Sequence, residues 1–152
     1  MVRRAQASIE FLMVTGLSMA LLVAGTFFIF DFTQANADQN ALQQAAQVGY
    51  SLVDESANVY VYGEGSFVRF AGSLPDSIQD IYVVDENTIV FDVITRQGIT
   101  PVQVFSPIPI NGTTVDEDDP DRVSVSPTSV HSGRMEFRIT SKGSWVEIRH
   151  NV

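Results

Sequence analysis

The chain has 152 residues, which allows one compact domain and an additional element. Its 18 acidic and 9 basic side chains give a formal net charge of −9, which argues against a nucleic-acid partner because phosphate binding needs clustered Lys and Arg. The sequence has no cysteine, so disulfides and thiolate chemistry are excluded.

The first predicted element is an apolar helix. Residues 11–30 (FLMVTGLSMALLVAGTFFIF) carry no charge, and about 20 such residues suffice for a helix to cross hydrocarbon. Arg3 and Arg4 precede this run, and the positive-inside rule would hold them in the cytoplasm. The sequence therefore predicts a single-pass membrane segment with a cytoplasmic N-terminus and the rest of the chain outside.

Three interpretations of this segment compete. Ala35-Asn36-Ala37, a small-x-small triplet beyond the apolar run, favours a conventional secretory signal peptide, although the run is longer than such peptides need. A plain membrane anchor explains the length of the run but gives no role to the acidic Glu10 beside it. The third interpretation takes Glu10 as the central feature.

Residues 5–12 (AQASIEFL) resemble the class III signal peptide of archaeal type IV-like pilins, which has a basic leader, then Gln-x-Ser-x-Glu, then a hydrophobic helix. The resemblance implies that a prepilin peptidase cuts between Ala5 and Gln6 and removes residues 1–5 as the leader. Gln6, Ser8 and Glu10 would then belong to the assembly region of the mature subunit. The resemblance also implies a pilin: a homo-oligomeric helical filament, assembled from the cytoplasmic membrane and serving adhesion at the cell surface.

The chemistry of Glu10 gives a separate reason to expect assembly. An unpaired carboxylate in an apolar bundle costs several kcal/mol, so it is protonated or meets a cation. Cleavage before Gln6 would create an α-ammonium group, and Gln6 and Glu10 lie on one helix face because they are four residues apart. Glu10 would pair with the amine of its own subunit or of a neighbour, and the second pairing would set the axial register. A glutamate in the membrane interface without such a role is the alternative.

Small residues recur along the apolar helix at a spacing that allows close helix–helix approach, and we include them in the predicted assembly site: Gly16, Ala20 and Ala24. The helical pattern continues beyond the apolar run without proline. We predict one helix over residues 6–60, hydrophobic over 6–32 and amphipathic over 33–60, whose second part packs on its own β-domain.

From residue 61 to residue 152 the apolar residues alternate, which predicts an extracellular antiparallel β-sheet or sandwich. The predicted strands are 67–70, 78–84, 88–95, 102–105, 122–126, 135–140 and 145–149. Residues 85–87 and 141–144 are predicted to form hairpin turns. Trp145 is predicted to lie in the core. The predicted fold class is therefore α+β, with a long N-terminal helix before an antiparallel β-domain.

Residues 107–120 (PIPINGTTVDEDDP) are predicted to form an exposed loop. Asn111-Gly112-Thr113 is an N-glycosylation sequon, so Asn111 is a candidate modification site facing outward. The acidic residues between Asp116 and Asp121 have the oxygen ligands that calcium prefers, but their spacing matches no EF-hand loop. A solvated acidic loop is the preferred interpretation.

Enzyme chemistry finds no support in the sequence. His131 and His150 belong to no metal-binding or triad-like motif, and no glycine-rich phosphate loop follows a strand. We expect no catalytic residue, no metal and no cofactor. The alternative to a pilin is a monomeric, membrane-anchored extracellular β-domain that acts as an accessory or binding component of a pilus or archaellum machinery.

Overall fold

The computed structural model describes residues 2–115, 122–125 and 132–150, with side chains from residue 9 onward. These residues form one helix, α1 (Val2–Tyr62), followed by strands. The strands are β1 (Phe67–Leu74), β2 (Ile78–Val84), β3 (Thr88–Thr95), β4 (Gly98–Phe105), β5 (Ile110–Asn111), β6 (Thr114–Val115), β7 (Arg122–Ser124), β8 (Gly133–Ser141) and β9 (Val146–His150). The predicted α+β class, a long N-terminal helix followed by antiparallel sheets, is confirmed.

The helix extends beyond the predicted bounds of 6–60 at both ends. It ends where Gly63 adopts the left-handed conformation, with a φ of 88°, which a residue without Cβ adopts at little cost. The amide of Gly63 donates to the carbonyl of Tyr60 at 3.2 Å, and the Ser66 hydroxyl donates to the carbonyl of Val59 at 3.0 Å. These bonds satisfy carbonyl groups that the last turn of a helix leaves without partners.

Two compact units divide the chain, Met1–Ala37 and Asp38–Val152. The first contains only the N-terminal part of α1. The second contains the remainder of α1 and all the described strands, and these share one hydrophobic core. Leu52 of α1, Phe91 of β3 and Phe137 of β8 are each 0% exposed in that core. The predicted amphipathic part of the helix thus supplies core residues to the β-domain.

The strands form two sheets in the second unit. One has the order β1-β8-β9-β5 and the other the order β4-β3-β2-β7-β6. The pairings are antiparallel except that β5 runs parallel to β9. Among the described strands, β1 and β4 each lie at one edge of a sheet and pair with a strand on one side only.

The helix approaches the edge strand β4 at a glycine. A Cβ on Gly49 would lie 2.7 Å from Cγ2 of Val104 and 2.8 Å from Cε2 of Phe91, so a side chain there would force the buried neighbours apart. Nearby, the Asp38 carboxylate forms an ion pair with Nε of Arg96 in the β3–β4 turn, at 3.0 Å. This close packing covers the buried side chain of Val104 in β4.

The other edge strand, β1, also contacts α1. Nε2 of Gln44 donates to the carbonyl of Ser73 at 2.9 Å. A Cβ on Gly72 would lie 2.9 Å from Cγ1 of Val48, so the backbone of β1 also comes close to the helix. The part of α1 from Asp38 onward therefore contacts an edge strand of each sheet.

Both predicted hairpin turns are present. In the β2–β3 turn, Asp85 and Glu86 have φ values of 54° and 58°, as turns that match strand twist require. In the β8–β9 turn, the amide of Lys142 donates to the carbonyl of Trp145 at 2.8 Å, and Gly143 has a φ of 88°. The prediction that Trp145 lies in the core is wrong, because it belongs to this turn and is half-buried.

The predicted exposed loop 107–120 is wrong in its first half. It contains the short strands β5 and β6, and Ile110 is 0% exposed. The amide of Ile110 donates to the carbonyl of Glu86 at 2.7 Å, so the β2–β3 turn fixes this segment. Such long-range backbone bonds leave no local sequence pattern. The acidic residues Asp116–Asp121 lie outside the described residues.

Candidate functional site

The main candidate site is the apolar surface of the first unit. Every large apolar side chain from Ile9 to Phe32 is exposed, with exposed fractions from 51% at Val23 to 74% at Phe28. Soluble monomers rarely expose contiguous apolar surface of more than a few hundred Å² without a binding role. This surface therefore needs lipid or protein around it.

Three hydroxyl groups of this segment are satisfied within the helix. The hydroxyl groups of Thr15, Thr26 and Thr33 each donate to the carbonyl four residues earlier in the helix, at 2.8 Å. In hydrocarbon no water is present to satisfy such groups, so they need partners within the protein. The three threonine hydroxyl groups thus have hydrogen-bond acceptors within the helix and need no water.

The length and composition of the helix allow it to cross a membrane. Within the described part of the chain, α1 is the one helix that is both long and apolar enough, and none of its most apolar window is buried. The prediction of a membrane-spanning segment is confirmed to this extent. Orientation and filament assembly remain predictions.

Glu10 is an exposed residue at the beginning of the apolar surface and provides its only charge between residues 9 and 30. The other residues of the predicted processing and assembly motif are Ala5, Gln6 and Ser8. Their backbone belongs to α1, and their side chains are not among those described. Since Gln6 and Glu10 are both helical, their four-residue spacing places them on one face.

The predicted stripe of small residues, Gly16, Ala20 and Ala24, is exposed along its whole length. A Cβ on Gly16 would meet no heavy atom within 4 Å, in contrast to Gly49. Among the described residues, the small size of Gly16 therefore has no packing reason. Close approach of another helix would provide one.

A second face of the segment was missed in the sequence analysis. It is a shallow apolar groove of about 320 Å³, lined by Met19, Leu22, Val23, Thr26, Phe27 and Phe30. Successive lining residues are three, one, three, one and three positions apart, which is the spacing of one helix face. That spacing is visible in the sequence, but the high apolar content of the whole run obscures it.

The candidate modification site Asn111 lies in β5 and is half-buried. Its Oδ1 accepts a hydrogen bond from the amide of Gly112 at 2.9 Å. A Cβ on Gly112 would lie 2.4 Å from the carbonyl oxygen of Ser124, so close backbone packing requires this glycine. Oγ1 of Thr113 is buried and has no hydrogen-bond partner within the described ranges. Gly112 of the sequon thus has a structural role of its own, and glycosylation of Asn111 remains a prediction.

Asn111 also lines a groove of about 260 Å³ between the β2–β3 and β8–β9 turns. The other lining residues are Glu86, Pro109, Ile110, Ser144 and Trp145. The half-buried indole of Trp145 is therefore next to the candidate modification site. Sequence reasoning did not bring these residues together, because they meet only when two turns from different hairpins lie side by side.

Arg122 organises a polar cluster on the second sheet. Its Nη2 lies 2.8 Å from Oδ2 of Asp80 and 3.4 Å from Oδ2 of Asp92, and its guanidinium lies 3.6 Å from the centre of the Tyr82 ring. Burial, and then the negative charge of Asp92, raise the pKa of Tyr82 above its usual value. These contacts hold the three-residue strand β7 on β2, which is a structural role.

The described ranges contain no group of three or more His, Cys, Asp or Glu side chains placed to hold a metal ion. His150 is 8% exposed, and its ring lies 6.3 Å from that of Phe137, centroid to centroid. The other histidine, His131, lies outside the described residues. The expectations of no catalytic residue, no metal and no cofactor remain predictions.

The candidate site is thus an exposed apolar helix surface with one carboxylate, Glu10, at its beginning. In comparisons of this chain with known proteins, no protein-family model, no curated protein and no solved structure matches it.

Proposed function

We propose that the chain is the structural subunit of a type IV-like pilus. The precursor is held in the cytoplasmic membrane by its apolar helix, a prepilin peptidase cuts it between Ala5 and Gln6, and the mature subunits polymerise through their helices. The β-domain is then displayed on the filament at the cell surface, where it serves adhesion. The observation that carries this proposal is the fully exposed apolar part of α1 with Glu10 at its beginning.

A single surface can serve both the membrane and the filament. Lipid tails and the apolar side chains of neighbouring helices both exclude water. The helix can therefore exchange one for the other without exposing its apolar side chains to water. The internal hydrogen bonds of Thr15, Thr26 and Thr33 suit both environments. The exposed Gly16, Ala20 and Ala24 allow helices to come close together.

Glu10 distinguishes assembly from simple anchoring. A carboxylate that leaves the membrane interface for a helix bundle needs a proton or a cation, and the amine created by cleavage before Gln6 provides a cation at the same level of the helix. Pairing with the amine of a neighbouring subunit would fix the axial offset between helices. An anchor that remains alone in the bilayer has no need of this pairing.

The test is to express the full precursor together with a prepilin peptidase and to examine both the mature N-terminus and the filaments. Mass spectrometry should find a chain that begins at Gln6, and electron microscopy should find filaments. Glu10→Ala should insert into membranes at the wild-type level and reduce filament yield at least about tenfold, since an assembly contact worth about 1.4 kcal/mol per subunit changes an equilibrium constant tenfold. Glu64→Gln, which removes an exposed carboxylate outside the apolar surface, is the matched control and should leave the yield unchanged.

Other outcomes lead to other functions. A chain that keeps Arg3 and Arg4 and forms no filaments would support the monomeric anchored accessory protein. A chain that begins at Asp38 would indicate a conventionally secreted protein. Normal filaments from Glu10→Ala would contradict the proposed role of the carboxylate in register.

A further inference from the structure

The first sheet has a row of three arginines across its outer face. In β1, β8 and β9 the core side chains alternate with outward ones. Arg69 of β1 is the direct register partner of Arg138 of β8, which is in turn the partner of Arg149 of β9. All three belong to the outward set, and we refer to them together as the arginine row. Arg69 and Arg149 are exposed and Arg138 is half-buried.

This arrangement is unfavourable for the isolated chain. Side chains directly opposite each other on neighbouring strands have Cβ atoms about 4.5–5.5 Å apart, and like charges in such positions destabilise a sheet. One contact offsets part of the cost, because the guanidinium of Arg138 lies 4.4 Å from the centre of the Phe67 ring.

Among the described residues, no acidic side chain forms an ion pair with the arginine row. Three other basic side chains of the β-domain form ion pairs: Arg96 with Asp38, Arg122 with Asp80 and Asp92, and Lys142 with Glu147. Arg134, exposed on β8, is in no ion pair within the described ranges. No ion pair within the described ranges involves a member of the row. Three guanidinium groups are therefore left to bind carboxylates or other oxyanions, which they can do through two parallel hydrogen bonds each.

The neighbours of the row favour a folded partner over an anionic polymer. Glu136 projects from the same face, two residues from Arg138 on β8, and Glu147 projects from it two residues from Arg149 on β9. A uniformly charged polymer lying on this face would also meet these carboxylates. A folded protein can place carboxylates opposite the arginines and none opposite Glu136 and Glu147. The pattern therefore suits a protein surface with discrete acidic groups.

We propose that the arginine row binds carboxylates on a second copy of this chain. The chain has twice as many acidic as basic side chains and a net charge of −9, so a second copy is itself the acidic partner that the row requires. The inference uses the proposed filament only as the source of closely spaced copies. The contact joins β-domains and is separate from the helix packing that Glu10 controls.

The test uses the full chain in detergent micelles. Sedimentation velocity at about 0.05 M and about 0.5 M NaCl measures the salt-sensitive part of self-association, because added salt screens exposed charges. Wild-type association should weaken at least fivefold at high salt. The double variant Arg69→Gln/Arg149→Gln should be at least fivefold weaker than wild type at low salt and should lose the salt dependence.

The matched control is the double variant Gln97→Glu/Gln103→Glu, which changes the net charge by the same amount at exposed positions away from the row. It should stay within twofold of wild type. The arginine variant should also be at least as stable as wild type to urea, since it removes like-charge repulsion, so unfolding cannot explain its weaker association.

Equal association of the wild type and the arginine variant would overturn the proposal. So would binding of heparin or duplex DNA that is lost in the arginine variant while self-association is unchanged, because the partner would then be a polyanion. These results are independent of the filament test: the absence of wild-type filaments contradicts the proposed function, whereas the difference in association between wild type and the arginine variant reports on the β-domain contact.

Discussion

Two parts of one helix meet opposite surroundings in this molecule. In residues 9–37 the large apolar side chains are exposed, and Leu22 is 70% exposed. In residues 38–62 the apolar side chains of one face are core residues, and Leu52 is 0% exposed. Similar helix-forming residues therefore fold against their own chain only where polar residues define the opposite face of the helix. Where the helix is apolar all round, its partners have to come from outside.

The largest expected effect on stability comes from a matched pair of leucines. Leu52→Ala should lower the free energy of unfolding of the β-domain by about 2–5 kcal/mol, because it leaves a cavity in a closely packed core. Leu22→Ala should change it by less than about 0.5 kcal/mol. Urea titration of the full chain in micelles, followed by the fluorescence of Trp145, measures both, since Trp145 is the only tryptophan. Equal effects of the two substitutions would contradict the division of the helix.

A matched pair of glycines gives the next largest effect. Gly49→Ala should cost about 1–2 kcal/mol, because overpacking against Val104 and Phe91 outweighs the roughly 1 kcal/mol by which alanine favours a helix. Gly25→Ala adds a Cβ that meets nothing within 4 Å and should not lower the stability. The same urea titration compares them. If Gly49→Ala left the free energy of unfolding unchanged, the helix would be able to move away from β4 at no cost.

The smallest effect is expected at the ion pair between Asp38 and Arg96. Both side chains are partly exposed, at 26% and 41%, so their coupling should be about 0.2–1 kcal/mol and should decrease with added salt. A double-mutant cycle with Asp38→Asn and Arg96→Gln isolates it. A coupling that does not respond to salt would argue against an electrostatic contribution.

The sequence predicted most of the architecture, because local patterns encode it. The helix follows from apolar spacing and the absence of proline, and the two hairpins follow from turn residues between alternating strands. One error occurred where a distant backbone group decides the structure, because Ile110 is held by the carbonyl of Glu86 from another hairpin. The other concerns Trp145, which is predicted to lie in the core but belongs to the β8–β9 turn.

The candidate sites differ in the same way. Glu10 and the small residues of the apolar helix are visible as a pattern along the chain, so the sequence could name them. The arginine row depends on the pairing of β1 with β8, two strands that are far apart in sequence, and no local pattern brings Arg69 next to Arg138. The cluster around Arg122 depends on strand register for the same reason.

The β2–β3 turn has a consequence for engineering. Asp85 and Glu86 both hold a left-handed backbone conformation that asparagine and glycine adopt more easily. Relieving this conformational strain should therefore stabilise the hairpin. The double variant Asp85→Asn/Glu86→Gly should shift the midpoint of urea denaturation upward, and a lower midpoint would show that the two carboxylates contribute more than their conformational strain costs.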